Sequence, residues 1–306
     1  LMKEESLLLL SDLQKLINQV VLIDYTIIIL GGKTMRNSKT NELVLTGLFT
    51  AIIIIMAFTP LGYIPLVVIN ATIIHIPVIL GSLFCGPKKG AFLGFVFGFT
   101  SCLKATIVGG TLSSFVFSPV LAASLVGTSG IFKSLFIAFV PRILVGVIPY
   151  FVYIGIKKVL ASEKKNLWGT VLNVLMSVFL AFGVYAFLGK MSESLSQAAA
   201  LGIGIAVGAV VFIVVEAVFI RKSTQVIPFV YAGVAGAMTN TLLVMGSIFV
   251  LYKDAYADAI GVAGNAVLGV ITGVISFNGV IEAIVAAIIV YLVGLVLNTI
   301  KPIAAK

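Results

Sequence analysis

Long apolar runs, separated by short segments that contain most of the charged residues, fill the chain between residues 43 and 297. A helix of about 20 residues crosses the hydrocarbon core of a bilayer. We count eight candidate spans, which lie near residues 43–58, 70–85, 89–106, 131–156, 168–188, 199–220, 227–251 and 262–297. The last is too long for one straight helix, and Asn278-Gly279 indicates a break within it. The sequence therefore predicts an all-α polytopic membrane protein of about eight spans.

Composition supports this class and argues against others. Of the 306 residues, 60% are hydrophobic and only 10% are charged, whereas soluble domains average about 25% charged residues. The net charge of +9 is divided among short clusters between apolar runs, which is typical of membrane topology and not of nucleic-acid binding. Cys85 and Cys102 form no ligand-like cluster with the only histidine, His75, so we expect neither a metal site nor a disulfide.

The basic clusters also predict an orientation, because Lys and Arg are enriched in cytoplasmic loops. Clusters recur in every second connection, at residues 36–39, 88–89, 157–165, 221–222 and 301–306. Lys133, Lys190 and Lys253 are the exceptions on the predicted outer side. With an even number of spans, both termini are expected in the cytoplasm.

Residues 1–34 differ from the rest of the chain. They contain an amphipathic stretch and end in Gly31-Gly32-Lys33-Thr34, just before Met35. An ATP-binding P-loop would need a glycine where Ile27 stands, so we expect no ATPase here. We expect Met35 to be the true start and residues 1–34 to be a non-native or disordered extension.

Charged residues inside membrane spans are costly and mark candidate functional sites. Arg142 follows Pro141, which frees backbone groups. It could bind a carboxylate bidentately or form a structural ion pair with Glu282 or a helix carbonyl. Glu282 itself could cap the helix that follows Asn278-Gly279 or line a site.

Two further ionisable groups have the same ambiguity. Lys104 could extend to the membrane interface or contact a ligand, and His75 could pack in the core or contact a ligand. Glu216, which lies near the cytoplasmic end of its span, is expected at the interface or paired with Arg221 or Lys222.

Neutral polar residues lie at the same predicted depth, in the outer half of the spans: Asn70, Thr72, Thr239, Asn240, Thr241 and Asn278. Each alone is explained by hydrogen bonds between helices, but their convergence favours a pocket. The uncharged connection at residues 107–130, which contains Phe117, is either a lid or a surface loop dipping into the interface.

Two sets of glycines predict close helix packing. Gly90, Gly94 and Gly98 share one face of a predicted helix because they are four residues apart, and Gly202, Gly204 and Gly208 indicate similar packing within residues 199–220. No nucleophile–histidine–acid set and no HExxH motif is present. We therefore expect a binding protein, with no enzymatic activity and no cofactor of its own.

Several segments, taken in order, resemble the membrane-embedded S component of energy-coupling factor (ECF) vitamin transporters, most closely the pantothenate branch. They are LTGLFTA at 45–51, PLGYIP at 60–65, TIIHIPVI at 72–79, FCGPKKGA at 84–91, FVPR at 139–142, TNT at 239–241 and NGVIE at 278–282. The resemblance covers residues 41–160 and 227–297.

The resemblance implies a six-helix core in a bacterial multi-pass cell-membrane protein, with helices 1–4 in residues 35–160 and helices 5–6 in residues 227–306. Residues 161–226 depart from it as an inserted pair of apolar helices. The implied function is uptake of a water-soluble vitamin, with pantothenate expected first and pyridoxine-type compounds, folate or riboflavin as alternatives. A self-sufficient secondary transporter is the rival interpretation.

The resemblance also implies partners and contact residues. A transmembrane coupling subunit and two ATPase subunits, which use the ATP, would dock through small residues that fall on Gly47 and Ala51. The expected substrate-binding residues are Asn70, His75, Lys104, Phe117, Arg142, Asn240, Asn278 and Glu282.

Overall fold

A computed structural model describes residues 38–65, 70–109, 114–191, 195–221, 226–300 and 303. The prediction for residues 1–34 lies outside them. Contacts divide the chain into a short unit, Leu1–Val44, and a large unit, Leu45–Lys306. Of the short unit, only the first residues of one helix are described.

The described residues are almost all helical. The helices are α1 (Ser38–Phe58), α2 (His75–Cys85), α3 (Pro87–Ile107), α4 (Pro119–Val126), α5 (Thr128–Val145), α6 (Ile148–Leu160), α7 (Lys165–Met191), α8 (Gln197–Arg221), α9 (Val226–Ile260), α10 (Val267–Val274) and α11 (Val280–Ile300). Short 3-10 turns cover Pro60–Gly62 and Ser114–Val116, and a π-helical segment, Ile275–Gly279, joins α10 to α11. A hairpin of two short strands, β1 (Tyr63–Pro65) and β2 (Asn70–Thr72), precedes α2.

Seven helical stretches in the described part are long and apolar enough to cross a membrane, which confirms the polytopic all-α class. They are Thr40–Phe58, Pro87–Ile107, Thr128–Leu160, Lys165–Gly189, Gln197–Ala217, Ile227–Ile260 and Val267–Thr299. Each corresponds to one predicted span. The orientation of the termini stays a prediction.

The prediction of a membrane span at residues 70–85 is wrong. Its residues 70–72 form β2, which pairs antiparallel with β1 from Tyr63 opposite Thr72 to Pro65 opposite Asn70. The helix begins only at His75 and has 11 residues, which at about 1.5 Å per residue is too short to cross a bilayer core. Pro77 lies in its first turn, where the missing N–H costs nothing.

Three other spans contain irregularities. The span predicted at 131–156 is divided between α5 and α6 by a turn at Gly146-Val147. Helix α9 continues past residue 251 but is kinked at Tyr252, where φ is −134° and ψ is 20°. The predicted break at Asn278-Gly279 is a π-helical turn within a continuous helical stretch.

The predicted glycine face of α3 packs against the backbone of α5. Cβ atoms built at Gly90, Gly94 and Gly98 would lie 2.0, 2.1 and 2.6 Å from carbonyl oxygens of Gly146, Arg142 and Ala138, respectively. Such short distances leave room only for hydrogen, so the glycines allow direct contact of the two backbones. The prediction of close packing on this face is confirmed.

Helices α7 and α8 form a pair that joins the bundle through α7. Gly204 and Gly208 of α8 face Ala181 of α7, which confirms the packing predicted for these two glycines, whereas no described heavy atom lies within 4 Å of a Cβ built at Gly202, so the prediction is wrong for that residue. Helix α7 in turn contacts α6 and α11, and Tyr231 Oη of α9 donates a hydrogen bond to the Leu172 carbonyl of α7. Whether the pair is an insertion into a six-helix core stays a prediction.

Candidate functional site

The depth of each polar residue in the bundle follows from contacts between antiparallel helices. Helix α2 runs antiparallel to α9, since the rings of Phe84 and Phe229 lie 6.4 Å apart, and Ile79 lies against Gly236. His75 lies one turn before Ile79 in α2, and Asn240 lies one turn after Gly236 in α9. Because the helices are antiparallel, His75 is level with Asn240.

Helix α11 is also antiparallel to α9. Gly294 lies against Phe229, and Gly279, just before α11, lies against Thr241. Thr241 Oγ1 donates a hydrogen bond of 3.0 Å to Glu282 Oε2. Glu282 is thereby at the depth of Thr241, one residue from Asn240.

Helix α5 brings Arg142 to the same depth. Tyr252 Oη donates to the Gly130 carbonyl at 2.7 Å, so the beginning of α5 lies beside the later part of α9. Arg142 is as far from Gly130 along α5 as Asn240 is from Tyr252 along α9. His75, Arg142, Asn240 and Glu282 thus share one level of the bundle, which we call the polar level.

Arg142 is held by its own helix and by two aromatic rings. Pro141 has no N–H to give to the carbonyl of Ile137, and Arg142 Nη1 donates to that carbonyl at 2.6 Å. The guanidinium carbon lies 5.5 Å from the Phe97 ring centroid and 4.6 Å from that of Phe117, within cation–π range. The arrangement leaves a buried, oriented cation, 6% exposed.

Glu282 ties three elements together. Its Oε1 accepts a 2.8 Å hydrogen bond from the backbone N–H of Thr72 in β2, while Oε2 accepts the bond from Thr241 in α9. Arg142 lies close enough for its charge to act on the carboxylate. Glu282 also lies in the first turn of α11, although both described hydrogen bonds of its carboxylate come from other elements, and the capping role stays a prediction.

Several buried polar atoms at the polar level have no hydrogen-bond partner among the described residues. They are Nδ1 and Nε2 of His75, Oδ1 of Asn240 and Oδ1 of Asn278. His75 is 0% exposed, and both asparagines are 8% exposed. Because more than about 90% of buried polar groups in proteins are hydrogen-bonded, these atoms indicate a place for a polar ligand or ordered water.

Of the predicted site residues Phe117 and Lys104, Phe117 contacts Arg142 and Lys104 contacts α1. Phe117 belongs to the connection at 107–130, which carries a 3-10 turn and α4 and reaches Arg142. Lys104 Nζ donates to the Ala57 carbonyl in the last turn of α1 at 3.0 Å, two turns beyond Phe97 along α3. Phe117 therefore lies at the polar level, beside Arg142. Lys104 lies outside the polar level and is bonded to the end of α1.

The remaining predicted residues are placed less fully. For Asn70 the backbone is described, in register with Pro65, and the side chain is not. Gly47 and Ala51 lie on an exposed face of α1, and no described heavy atom lies within 4 Å of a Cβ built at Gly47.

Sequence reasoning missed two contributors to the site. The backbone N–H of Thr72 could not be anticipated without the strand. Phe97 resembles any core aromatic, although its position between Gly94 and Gly98 places it beside the face that packs on α5.

A second polar cluster lies between α7 and α8. Thr170 Oγ1 donates to Glu216 Oε1 at 2.6 Å, and Asn173 Nδ2 donates to Glu216 Oε2 at 2.9 Å. The predicted partners Arg221 and Lys222 have side chains outside the described part. No group of His, Cys, Asp and Glu that could hold a metal ion occurs among the described residues.

Comparison with known proteins identifies the family. The family model described as "ECF transporter, substrate-specific component" matches residues 41–220. The pantothenic acid transporter PanT of Lactococcus lactis subsp. cremoris is 42% identical over 161 residues, covering 49% of this chain and 78% of that protein. The pantothenate transporter PanT of Leuconostoc mesenteroides is 27% identical over 277 residues, covering 89% of this chain and 98% of that protein. The family match spans more than half of the chain, and this multi-pass membrane protein therefore belongs to the substrate-specific components of ECF transporters.

Proposed function

We propose that the chain captures pantothenate at the polar level and serves its uptake as the substrate-specific subunit of an ATP-driven ECF transporter. Two relatives are named for pantothenate transport. The observation that carries the proposal is the buried Arg142 guanidinium at the same depth as hydrogen-bonding atoms of His75 and Asn240 that have no described partner.

The chemistry of pantothenate suits this set of groups. Its carboxylate needs a cation, and an arginine can bind it bidentately. Its amide and hydroxyl groups both donate and accept hydrogen bonds. They can use the imidazole of His75 and the side-chain oxygens of Asn240 and Asn278. In this proposal Phe117 covers the ligand from the connection at 107–130, and Glu282 forms part of the wall.

Release of the ligand into the cell requires partners in this proposal. A transmembrane coupling subunit would dock on the exposed α1 face at Gly47 and Ala51, and two ATPase subunits would supply the energy. No cofactor is assigned to this chain, which binds its ligand without altering it. The described contacts of α7 are with α6, α8, α9, α11 and the π segment, so the α7–α8 pair is compatible with docking at α1.

Direct binding tests the ligand. Purified protein is titrated calorimetrically with pantothenate and with a panel of other water-soluble vitamins. The Arg142→Ala variant should bind pantothenate roughly 10- to 150-fold more weakly, because a hydrogen bond to a charged group contributes about 1.5–3 kcal/mol. Lys133→Ala is the control, because it also removes a positive charge from α5. Lys133 lies over the Tyr252 ring and not beside Arg142, so this variant should leave the affinity unchanged.

Two results would contradict the proposal. Failure of every vitamin to bind the wild-type protein would remove the function, and an unchanged dissociation constant in Arg142→Ala would remove Arg142 from the site. Proteoliposomes separate the proposal from a secondary transporter. Pantothenate uptake should require the coupling subunit and ATPases, whereas uptake by this chain alone would favour the rival.

A further inference from the structure

Helix α7 lies directly against the π-helical segment that carries Asn278. The rings of Phe187 in α7 and Phe277 in the segment are stacked, with centroids 5.0 Å apart and planes at 10°. One turn earlier in α7, a Cβ at Gly183 would lie 2.0 Å from Val280 Cγ1. The glycine thus lets α7 approach closely enough for the two rings to meet.

The π segment is enclosed on its other side by α9. A Cβ at Gly279 would lie 3.0 Å from Thr241 Cγ2, and Phe277, Asn278 and Gly279 are all buried. Between the residue that contacts α7 and the residue that contacts α9 lies Asn278, whose Oδ1 has no described partner. The backbone at Asn278, and with it the start of the side chain, is therefore held by contacts on both sides.

A π turn needs such support, because its hydrogen bonds are formed at the expense of regular α-helical geometry. π turns are rare and occur frequently at functional sites. Here the segment adds a helical irregularity one turn before Glu282, at the depth of the proposed ligand. Without a neighbour on the Phe277 side, the segment could relax toward a regular helix and turn Asn278 away.

We propose that α7 is a positioning element of the ligand site: Phe187 holds the π segment through Phe277 and thereby orients the Asn278 amide toward the ligand. The inference rests on the proposed function. It assigns a role in ligand binding to a helix pair for which the sequence suggested none, since α7 and α8 lie in residues 161–226.

The test compares pantothenate affinities of the full-length chain in detergent. Phe187→Ala should weaken binding roughly two- to tenfold, the range expected for loss of one aromatic pair. Phe187→Tyr, which keeps a stacked ring, should restore the wild-type affinity. Phe182→Ala is the matched control, because Phe182 lies on the same helix with its side chain 53% exposed, and it should bind as the wild type does.

A double-mutant cycle distinguishes positioning from general loosening of the bundle. If Phe187 acts through Asn278, Phe187→Ala should cause no further loss of affinity in an Asn278→Ala background. Phe187→Leu, which keeps most of the apolar volume, replaces Phe187→Ala if that variant does not fold, and the same loss is expected. The inference would be overturned if Phe187→Ala or Phe187→Leu bound pantothenate with wild-type affinity, or if the losses were additive in the double variant. Pantothenate binding by the wild type would still support the proposed function in either case. Absence of that binding in the wild type would overturn the proposed function and this inference with it.

Discussion

A methyl group at Gly94 would force α3 and α5 apart at the residue that carries the guanidinium. The Cβ of alanine would lie 2.1 Å from the Arg142 carbonyl oxygen, whereas ordinary contact begins near 3.4 Å. The two helix backbones would have to separate by about 1.3 Å. Overpacking of this kind costs about 1–3 kcal/mol, and the higher helix propensity of alanine offsets up to about 1 kcal/mol. We expect Gly94→Ala to lose roughly 1–2 kcal/mol of stability.

Thermal unfolding in detergent and pantothenate titration measure the two consequences. Gly94→Ala should lower the unfolding midpoint and weaken binding, because Arg142 moves with its helix. Gly155→Ala is the control, since no described heavy atom lies within 4 Å of its Cβ and it lies within α6. It should be neutral or slightly stabilising. A Gly94→Ala protein with wild-type midpoint and affinity would refute the argument that direct backbone contact positions Arg142.

Two further substitutions test residues outside the polar level. Glu216→Ala should lower the unfolding midpoint by the equivalent of roughly 0.6–1.7 kcal/mol, as for other hydrogen bonds between membrane helices, with pantothenate affinity unchanged. Glu216→Gln, which keeps an acceptor for Thr170, should lose less, and an equal loss would count against the hydrogen bonds. Lys104→Met should lower the midpoint slightly, because the bond to the Ala57 carbonyl is lost, and should bind pantothenate with unchanged affinity. A large loss of affinity would instead place Lys104 in the ligand site.

Local features of the chain could be predicted because they depend on residues close in sequence. The fold class follows from the apolar runs, and the four-residue spacing of glycines in α3 identified its packing face. The proline before Arg142 indicated freed backbone groups, and the Arg142 side chain does bond to the Ile137 carbonyl that Pro141 leaves without a donor. The glycine spacing does not predict which helix packs against that face.

Features that depend on distant residues were not predictable. A short apolar run is compatible with strand or helix, and within residues 70–85 it is the pairing of β2 with β1 that makes residues 70–72 a strand. For Glu282 the sequence left open a cap, an ion pair with Arg142 or a wall of the site, and it did not indicate the partner Thr72, which lies 210 residues earlier in the chain. The same holds for the stack of Phe187 on Phe277, which joins two helices whose sequences give no sign of contact.

The concentration of polar groups at one depth is itself an argument for a ligand. Each buried polar atom without a hydrogen bond costs about 1–3 kcal/mol, so a bundle under pressure for stability alone would pair such atoms or replace them. Glu282 and Arg142 have hydrogen-bond partners in the protein, whereas atoms of His75, Asn240 and Asn278 have none among the described residues. The protein thus orients the carboxylate of Glu282 and the guanidinium of Arg142, and it leaves neutral hydrogen-bonding atoms available to a ligand. A small anion with several hydrogen-bonding groups fits that division, because the fixed cation orients its charged end and the neutral groups bind the rest.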